Sequence, residues 1–317
     1  MGRNGGGGQR VRAMSTQQFV VSGASGLVGK QLSAELMHEG HRVQRLVRHE
    51  ARADGEIPWD PDEGKLDRGA LEGVDAVVHL AGAGIAKRRW SEKRKRVIRE
   101  SRVRGTRLLS ETLARLDAPP RVLIAASAVG YYGNRGEVWV DEQSEAGEGF
   151  LAEVCRAWEE ATAPARERGI RVVNLRIGVV LSSKGGALAG MLLPFRFGMG
   201  GVVGSGRQYL SWVLLDDLVR AIQHLIFASD LDGPVNAVAP EPVTNREFTR
   251  VLGRVLRRPT LFPVPAPVAR LVFGELGQAL LLEGARVSAA QLEQTGFLFR
   301  FRDLEHALRA EIGQVGD

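Results

Sequence analysis

Three glycines three residues apart, Gly23-Ala-Ser-Gly26-Leu-Val-Gly29, stand between a short apolar run and an amphipathic one near the start of the chain. That spacing suits a phosphate-binding turn. Gly23 would permit the tight turn, Gly26 would let backbone approach a pyrophosphate, and Gly29 would allow a helix to pack closely on its strand. The backbone around the helix start, Ser25 to Val28, would present N–H donors and the positive end of the helix dipole. Twenty residues on, Val47 is followed by Arg48, with Arg45 before it and Glu50 as the nearest carboxylate. An acid at this place would accept from ribose hydroxyls, whereas a guanidinium can fork onto a 2′-phosphate. The pattern favours NADP(H) over NAD(H), the alternative being a solvated strand end.

Other residues able to do chemistry are few. Cys155 is the single cysteine, so no internal disulfide forms and no structural zinc site can be built on thiolates. The histidines at 38, 41, 49, 79, 224 and 306 lack the spacing of metal ligands. Lys184 lies in a Gly-rich turn and could meet a phosphate or carboxylate.

The elements that must position these groups alternate in type. Phe19–Ser22 reads as a buried strand, Leu27–Glu39 as a helix with Val28, Leu32 and Leu36 on one face, and Arg42–Val47 as a second strand. Ile57–Trp59, Asp75–Leu80, Val122–Ala126 and Arg171–Leu181 supply further strands, with helices over Lys87–Arg107 and Phe150–Arg168 between them. Such alternation implies an α/β fold with a doubly wound parallel sheet covered on both faces. Past Leu181 the rhythm gives way to Gly-rich loops, with Asp216-Asp217 placed as an N-cap before a helix over Leu218–Ala228. Residues 1–17 read as a disordered leader, 18–181 as the nucleotide domain (with parts of 182–245 returning to it), and 182–317 as a smaller lobe with a helical C-terminus.

With 44% apolar and 25% charged residues the composition is that of a globular protein, and no run approaches the roughly 18 apolar residues of a membrane span. We therefore expect no membrane partner, and a reducing cytoplasm as the compartment. The chain is basic, +6, but Arg3, Arg10 and Arg12 of the leader supply half of that. The stretch Lys87–Arg107 carries only Glu92 and Glu100 against its many cations, and Val97, Ile98 and Val103 mark it as a helix with a wide solvated face. No recognisable nucleic-acid-binding module accompanies it, so no nucleic-acid partner is expected.

Together these stretches resemble an extended short-chain dehydrogenase/reductase. The resemblance is carried by the Gly23–Gly29 loop, His79-Leu-Ala-Gly82, Gly105-Thr106, Ser127 and Ser211-Trp-Val-Leu-Leu-Asp-Asp217. Ala81-Gly-Ala-Gly-Ile85, Arg89-Trp90, Ser101-Arg102, Tyr131-Tyr132, Trp158-Glu159, Leu192-Leu-Pro-Phe195, Gly204-Ser-Gly-Arg-Gln208 and Asn236-Ala-Val-Ala-Pro240 narrow it to the atypical "epimerase family protein" branch. The resemblance spans about 19–313. It implies a Rossmann-type domain, a smaller C-terminal substrate lobe and a short C-terminal domain of unknown function. It also implies NADP or NAD as cofactor and an oxidoreductase or epimerase-like activity on an unidentified carbonyl or nucleotide-sugar-like small molecule. Leu80, Ala81, Gly82 and Ala83 would line the adenosine side, Asp60 would reach the adenine, and Ile177, Gly178 and Val179 would offer backbone to the carboxamide. Ser127 would polarise a substrate carbonyl, and Arg207 and Gln208 would contact substrate or order their loop. Relatives pair through two helices of the Rossmann domain; the charged Lys87–Arg107 helix opposes that mode, and a homodimer stays open.

One part of the resemblance is missing. The family's Tyr-x-x-x-Lys should stand on the helix after Ser127, but Phe150 and Val154 occupy those places. Phenylalanine has no exchangeable proton and valine cannot hold a ribose. Tyr131 and Tyr132 are the substitute proton sources that the sequence offers. Two readings follow: an NADP(H)-dependent enzyme using Ser127 with one of these tyrosines, or a non-catalytic NADP(H) sensor acting through a protein partner in a division-related role.

Overall fold

The computed structural model describes residues 16–86 and 89–313, so nearly all of the expected leader, and Lys87 and Arg88, lie outside the described residues. The first half runs β1 (Gln18–Ser22), α1 (Leu27–His38), β2 (Arg42–Val47), β3 (Glu56–Asp60), β4 (Lys65–Leu66), β5 (Ala76–His79), α2 (Glu92–Ala114) and β6 (Val122–Ala128). β7 (Trp139–Val140), α3 (Phe150–Glu160), α4 (Ala163–Glu167), β8 (Arg171–Ile177) and β9 (Val179–Leu181) follow. Then come α5 (Gly186–Arg196), β10 (Tyr209–Leu210), β11 (Trp212–Leu214), α6 (Leu215–Phe227) and β12 (Gly233–Ala237).

Eight strands make one sheet in the order β12-β8-β6-β5-β1-β2-β3-β4, antiparallel only at the β3–β4 edge. The chain winds outward from β1 to β3 and then restarts on the other side of β1 at β5. This reversal opens a crevice at the carboxyl ends of β1 and β5, the place where such sheets bind ligands. The strands are apolar on both sides because both sides are covered. Phe19, Val21, Val78 and Ile124 face α1 and α6 with Leu32, Leu36 and Ile222, whereas Val20, Val77 and Leu123 face α2 and α4 with Leu109, Leu113 and Ala165. Each fully buried leucine contributes about 1.5–3 kcal/mol.

Four expectations need correction. The strand over Arg171–Leu181 is two strands that part at Gly178, where the close approach of the Ser211 carbonyl, 2.6 Å from where a Cβ would stand, leaves room only for glycine. There the chain leaves β12 and pairs with β11 instead. The helix over Phe150–Arg168 is also two, with Pro164 in the first turn of α4. The basic helix begins at Glu92, capped by Ser91, and not at Lys87. Asp216 and Asp217 lie inside the first turn of α6 and do not cap it. Asp217 is buried because it accepts from the N–H groups of Arg300 and Phe301, tying the C-terminal segment to α6.

A third core, with Leu181, Leu188, Phe195 and Trp212, joins α5 to Phe248 and Leu252 of α7 (Asn245–Leu256) and to Leu308 of the helix Leu304–Gly313. Thr244 and Glu247 start α7 with a reciprocal capping box. Among the described residues no helix is long and apolar enough to cross a membrane, and no cluster of His, Cys, Asp and Glu could hold a metal ion.

Candidate nucleotide and reaction site

Gly23 has φ +68° and Gly29 has no room for a side chain: a Cβ there would lie 2.4 Å from the Gly23 carbonyl oxygen. A Cβ on Gly23 would lie 2.8 Å from the Leu80 carbonyl carbon, so the loop sits directly on the backbone that leaves β5. The Gly26 N–H closes the turn on the Gly23 carbonyl at 2.9 Å. Lys30 is the first residue of α1 whose N–H reaches a helix carbonyl, that of Gly26, and Gly26 offers no side-chain cap. The N–H groups of Leu27, Val28 and Gly29 have no acceptor among the described residues and open on the exposed loop at Ser25 and Gly26. Such a cradle of free donors at a helix start fits a phosphate group.

The β1–β5 crevice is fixed by a pair that sequence reasoning missed. Ser22 Oγ lies 2.6 Å from His79 Nδ1 and accepts from the N–H groups of Leu80 at 3.1 Å and Ala81 at 3.2 Å. With two N–H donors on that oxygen, the hydroxyl proton is directed to Nδ1. The imidazole is then neutral with its proton on Nε2, which is buried beside Trp59 without a hydrogen-bond partner. Burial pushes the His79 pKa down to about 4. The loop Leu80–Ala83 is therefore held from below by a rigid, uncharged bridge between two strands.

At the carboxyl ends of β6 and β8 lies a second network. Register sets Ser127 beside Arg176 on the neighbouring strand. Ser127 Oγ donates to Glu159 Oε1 at 2.6 Å, and Arg176 forks onto both oxygens of the same carboxylate at 2.9 Å. Arg176 Nη1 also donates to the Tyr132 hydroxyl at 3.0 Å, which in turn donates to Asn236 Oδ1 at 2.7 Å. Burial disfavours the Arg176 charge, but Glu159 more than offsets it, and its pKa is raised. Tyr132 is wholly buried, and burial pushes its phenol up to about 12. The Tyr131 ring lies differently: half-buried, with the Arg176 guanidinium 3.5 Å from its centroid. Cys155 is buried nearby and its thiol is pushed up to about 12, mainly by burial, which leaves it a thiol at neutral pH.

The geometry sorts the remaining candidates. Tyr132, expected as a proton source, is sealed in the core with its hydroxyl committed to Asn236 and Arg176, while Tyr131 keeps a hydroxyl without a partner among the described residues. Phe150 stacks edge-on against Trp90, and Val154 is buried, so neither of these two α3 positions supplies a polar group. Arg48 is exposed just past the end of β2. Asp60 ends β3, with Oδ1 accepting from Asp62 and Glu63 and closing the turn to β4. Ala81, Gly82 and Ala83 lie along the crevice edge, and Ile177, Gly178 and Val179 carry the chain out of β8. Lys184 lines a cavity of about 170 Å³ with Gln31, Asp216, Arg300 and Glu311. Gln208 donates to the carbonyls of Val203 and Leu281, which makes it a loop tie, and Arg207 pairs with Glu137 at the surface. Arg176 and Asn236 had a readable signal: each is a polar residue within a strand-length segment, and a buried charge needs a partner.

Residues 19–237 match the NAD dependent epimerase/dehydratase family, and residues 264–311 match a domain of unknown function, DUF1731. The chain is 46% identical over 295 residues to the epimerase family protein Mb2239 of Mycobacterium bovis, covering 93% of this chain and 97% of that one. The crystal structure of the human epimerase family protein SDR39U1 with NADPH superposes with a TM-score of 0.87 at 34% identity, over 94% of this chain and 99% of that one. A nucleoside-diphosphate sugar epimerase from Corynebacterium glutamicum superposes with a TM-score of 0.78 at 39% identity, over 95% of this chain and 59% of that one.

Proposed function

This chain belongs to the NAD dependent epimerase/dehydratase family, and we propose that it is an NADP(H)-dependent oxidoreductase or epimerase-like enzyme that works at a carbonyl or hydroxyl carbon without the family's tyrosine–lysine pair. The observation that carries this reading is the hydrogen bond from Ser127 to Glu159, itself held by Arg176. The bond gives the Ser127 hydroxyl a carboxylate at 2.6 Å to which its proton can pass. The bound nicotinamide would supply or accept hydride.

The residues of the chain would do the rest. The N–H groups of Leu27, Val28 and Gly29 would take the pyrophosphate and Arg48 the 2′-phosphate, in keeping with the NADPH found in the human relative. Leu80–Ala83, Asp60 and the backbone of Ile177–Val179 would line the cofactor along the crevice. Ser127 has one proton and directs it at Glu159, so toward substrate it is an acceptor. It is thus set to take a proton from a substrate hydroxyl as its own passes to Glu159; in the reverse direction the same path returns a proton to the oxygen of the reduced carbonyl. Tyr131, stacked on Arg176, is the phenol left free to touch that oxygen.

Phe150 and Val154 favour the second reading, an NADP(H) sensor that acts through a protein partner. Stopped-flow and steady-state oxidation of NADPH against a panel of aldehydes, ketones and nucleotide sugars separates the two. Turnover should fall about 100-fold or more in Ser127→Ala with NADPH affinity held within about twofold, and by less in Tyr131→Phe. Turnover that survives Ser127→Ala unchanged would rule out the proton path.

A further inference from the structure

Of the two groups missing from α3, the lysine has a task that another residue can perform: donating hydrogen bonds to a ribose. Val154 leaves the α3 face without a cation, but one reaches it from α2. The Arg102 guanidinium lies over the Trp158 ring, 4.9 Å from its centroid, one helical turn from Val154. On its other side stands the crevice loop, where a Cβ on Gly82 would come within 3.2 Å of the guanidinium carbon. Arg102 Nη1 donates to the carbonyls of Ala83 at 3.0 Å and Ile98 at 3.1 Å, which fixes the side chain in place.

What remains of this arginine is unspent. No carboxylate lies within salt-bridge distance of it among the described residues, and Nε and Nη2 have no hydrogen-bond partner there. These two donors share one edge of the fork, the edge by which Arg176 holds both oxygens of Glu159. Burial lowers the pKa of Arg102 and no carboxylate offsets it, yet a guanidinium stays protonated at any physiological pH. A half-buried cation with no carboxylate partner and a free two-donor edge suits a paired oxygen ligand.

We propose that Arg102 takes over the ribose-holding role of the absent lysine, its Nε–Nη2 edge donating to the vicinal hydroxyls of the nicotinamide-side ribose of NADP(H). The inference rests on the NADP(H) site proposed above. It separates the two duties of the family lysine: ribose binding passes to α2, while phenol activation has no object because Phe150 has no hydroxyl. Arg102 thereby positions the cofactor relative to Ser127 without moving a proton.

Three probes test this by calorimetry or fluorescence on the full chain: 2′,5′-ADP, which lacks the second ribose; 2′-phospho-ADP-ribose, which has that ribose without the nicotinamide; and NADPH. Arg102→Gln should bind 2′,5′-ADP as the wild type does and bind the other two about 10- to 100-fold more weakly. Arg102→Lys should recover part of that loss, and thermal unfolding of both variants should confirm that they fold. Equal weakening for all three probes would make Arg102 a brace for the Ala81–Ile85 loop and overturn the proposal, as would no weakening at all. If the wild type binds none of the three, the NADP(H) site itself fails and the inference with it.

Discussion

Glu159→Gln should be among the costlier conservative substitutions in the molecule. Glu159 and Arg176 side chains are 12% and 3% exposed, and the guanidinium donates to both carboxylate oxygens. The amide keeps the shape but leaves the guanidinium without a counter-charge, and in either orientation its NH₂ faces a donor of Arg176. Stranding one member of a buried pair costs about 3–5 kcal/mol. A chain of this length gains about 0.7 kcal/mol per kelvin of unfolding entropy, so the melting temperature should fall by about 4–7 °C. Arg207→Ala supplies the control, because the Arg207–Glu137 pair is 78% and 67% exposed; its removal should cost less than about 1 kcal/mol. The double variant Glu159→Leu with Arg176→Met should be more stable than Glu159→Gln, since it strands no charge, although the Tyr132 and Ser127 hydroxyls each lose a partner. Differential scanning calorimetry and urea titration at pH 7.5 give these values directly. A Glu159→Gln cost no larger than that of Arg207→Ala would refute the buried-pair reasoning.

Two further outcomes follow from the crevice. His79 is neutral in the folded chain down to about pH 4, whereas the unfolded chain takes up the proton near 6.5; stability from this group is full above 6.5 and declines toward pH 4 by about 3 kcal/mol. Urea titrations should therefore show wild type losing about that much more than His79→Gln between pH 7 and 4, and equal slopes for the two would exclude the buried neutral imidazole. Gly29→Ala drives a carbon against the Gly23 carbonyl at 2.4 Å, where only backbone could give way. We expect a stability loss of about 1–3 kcal/mol and an NADPH affinity at least tenfold lower, read by thermal shift and titration.

The nucleotide half of the fold was legible because local pattern decides it. The apolar runs at Phe19–Ser22 and Val122–Ala126 are strand-length, α1 shows its helical period, and the glycines sit at the first strand–helix junction, so tertiary context had little to add. The proposed reaction site and the crevice beside it were less legible because their polar groups meet across long stretches of chain. Ser22 and His79 are 57 residues apart, and Tyr132 and Asn236 are 104 apart. Whether Tyr131 or Tyr132 faces the core depends on a single turn after β6, which spacing alone cannot orient. Arg176 stood within a strand that also carries Arg171 and Asn174, so its charge alone did not mark it out, and Gly178 read as strand because the close approach of Ser211 comes from a segment more than thirty residues away. The paired acids at the start of α6 looked like a cap, and their work turned out to be holding Arg300 and Phe301.

The most direct measurement is titration of the purified protein with NADPH and NADH, for wild type and Arg48→Ala. NADPH should bind the wild type more tightly by about 1.5–3 kcal/mol, the scale of one charge-assisted contact, and Arg48→Ala should erase the difference while leaving NADH affinity unchanged. Equal affinity of the wild type for the two nucleotides, or binding of neither, would contradict the assignment of the Gly23–Gly29 cradle and Arg48 to NADP(H).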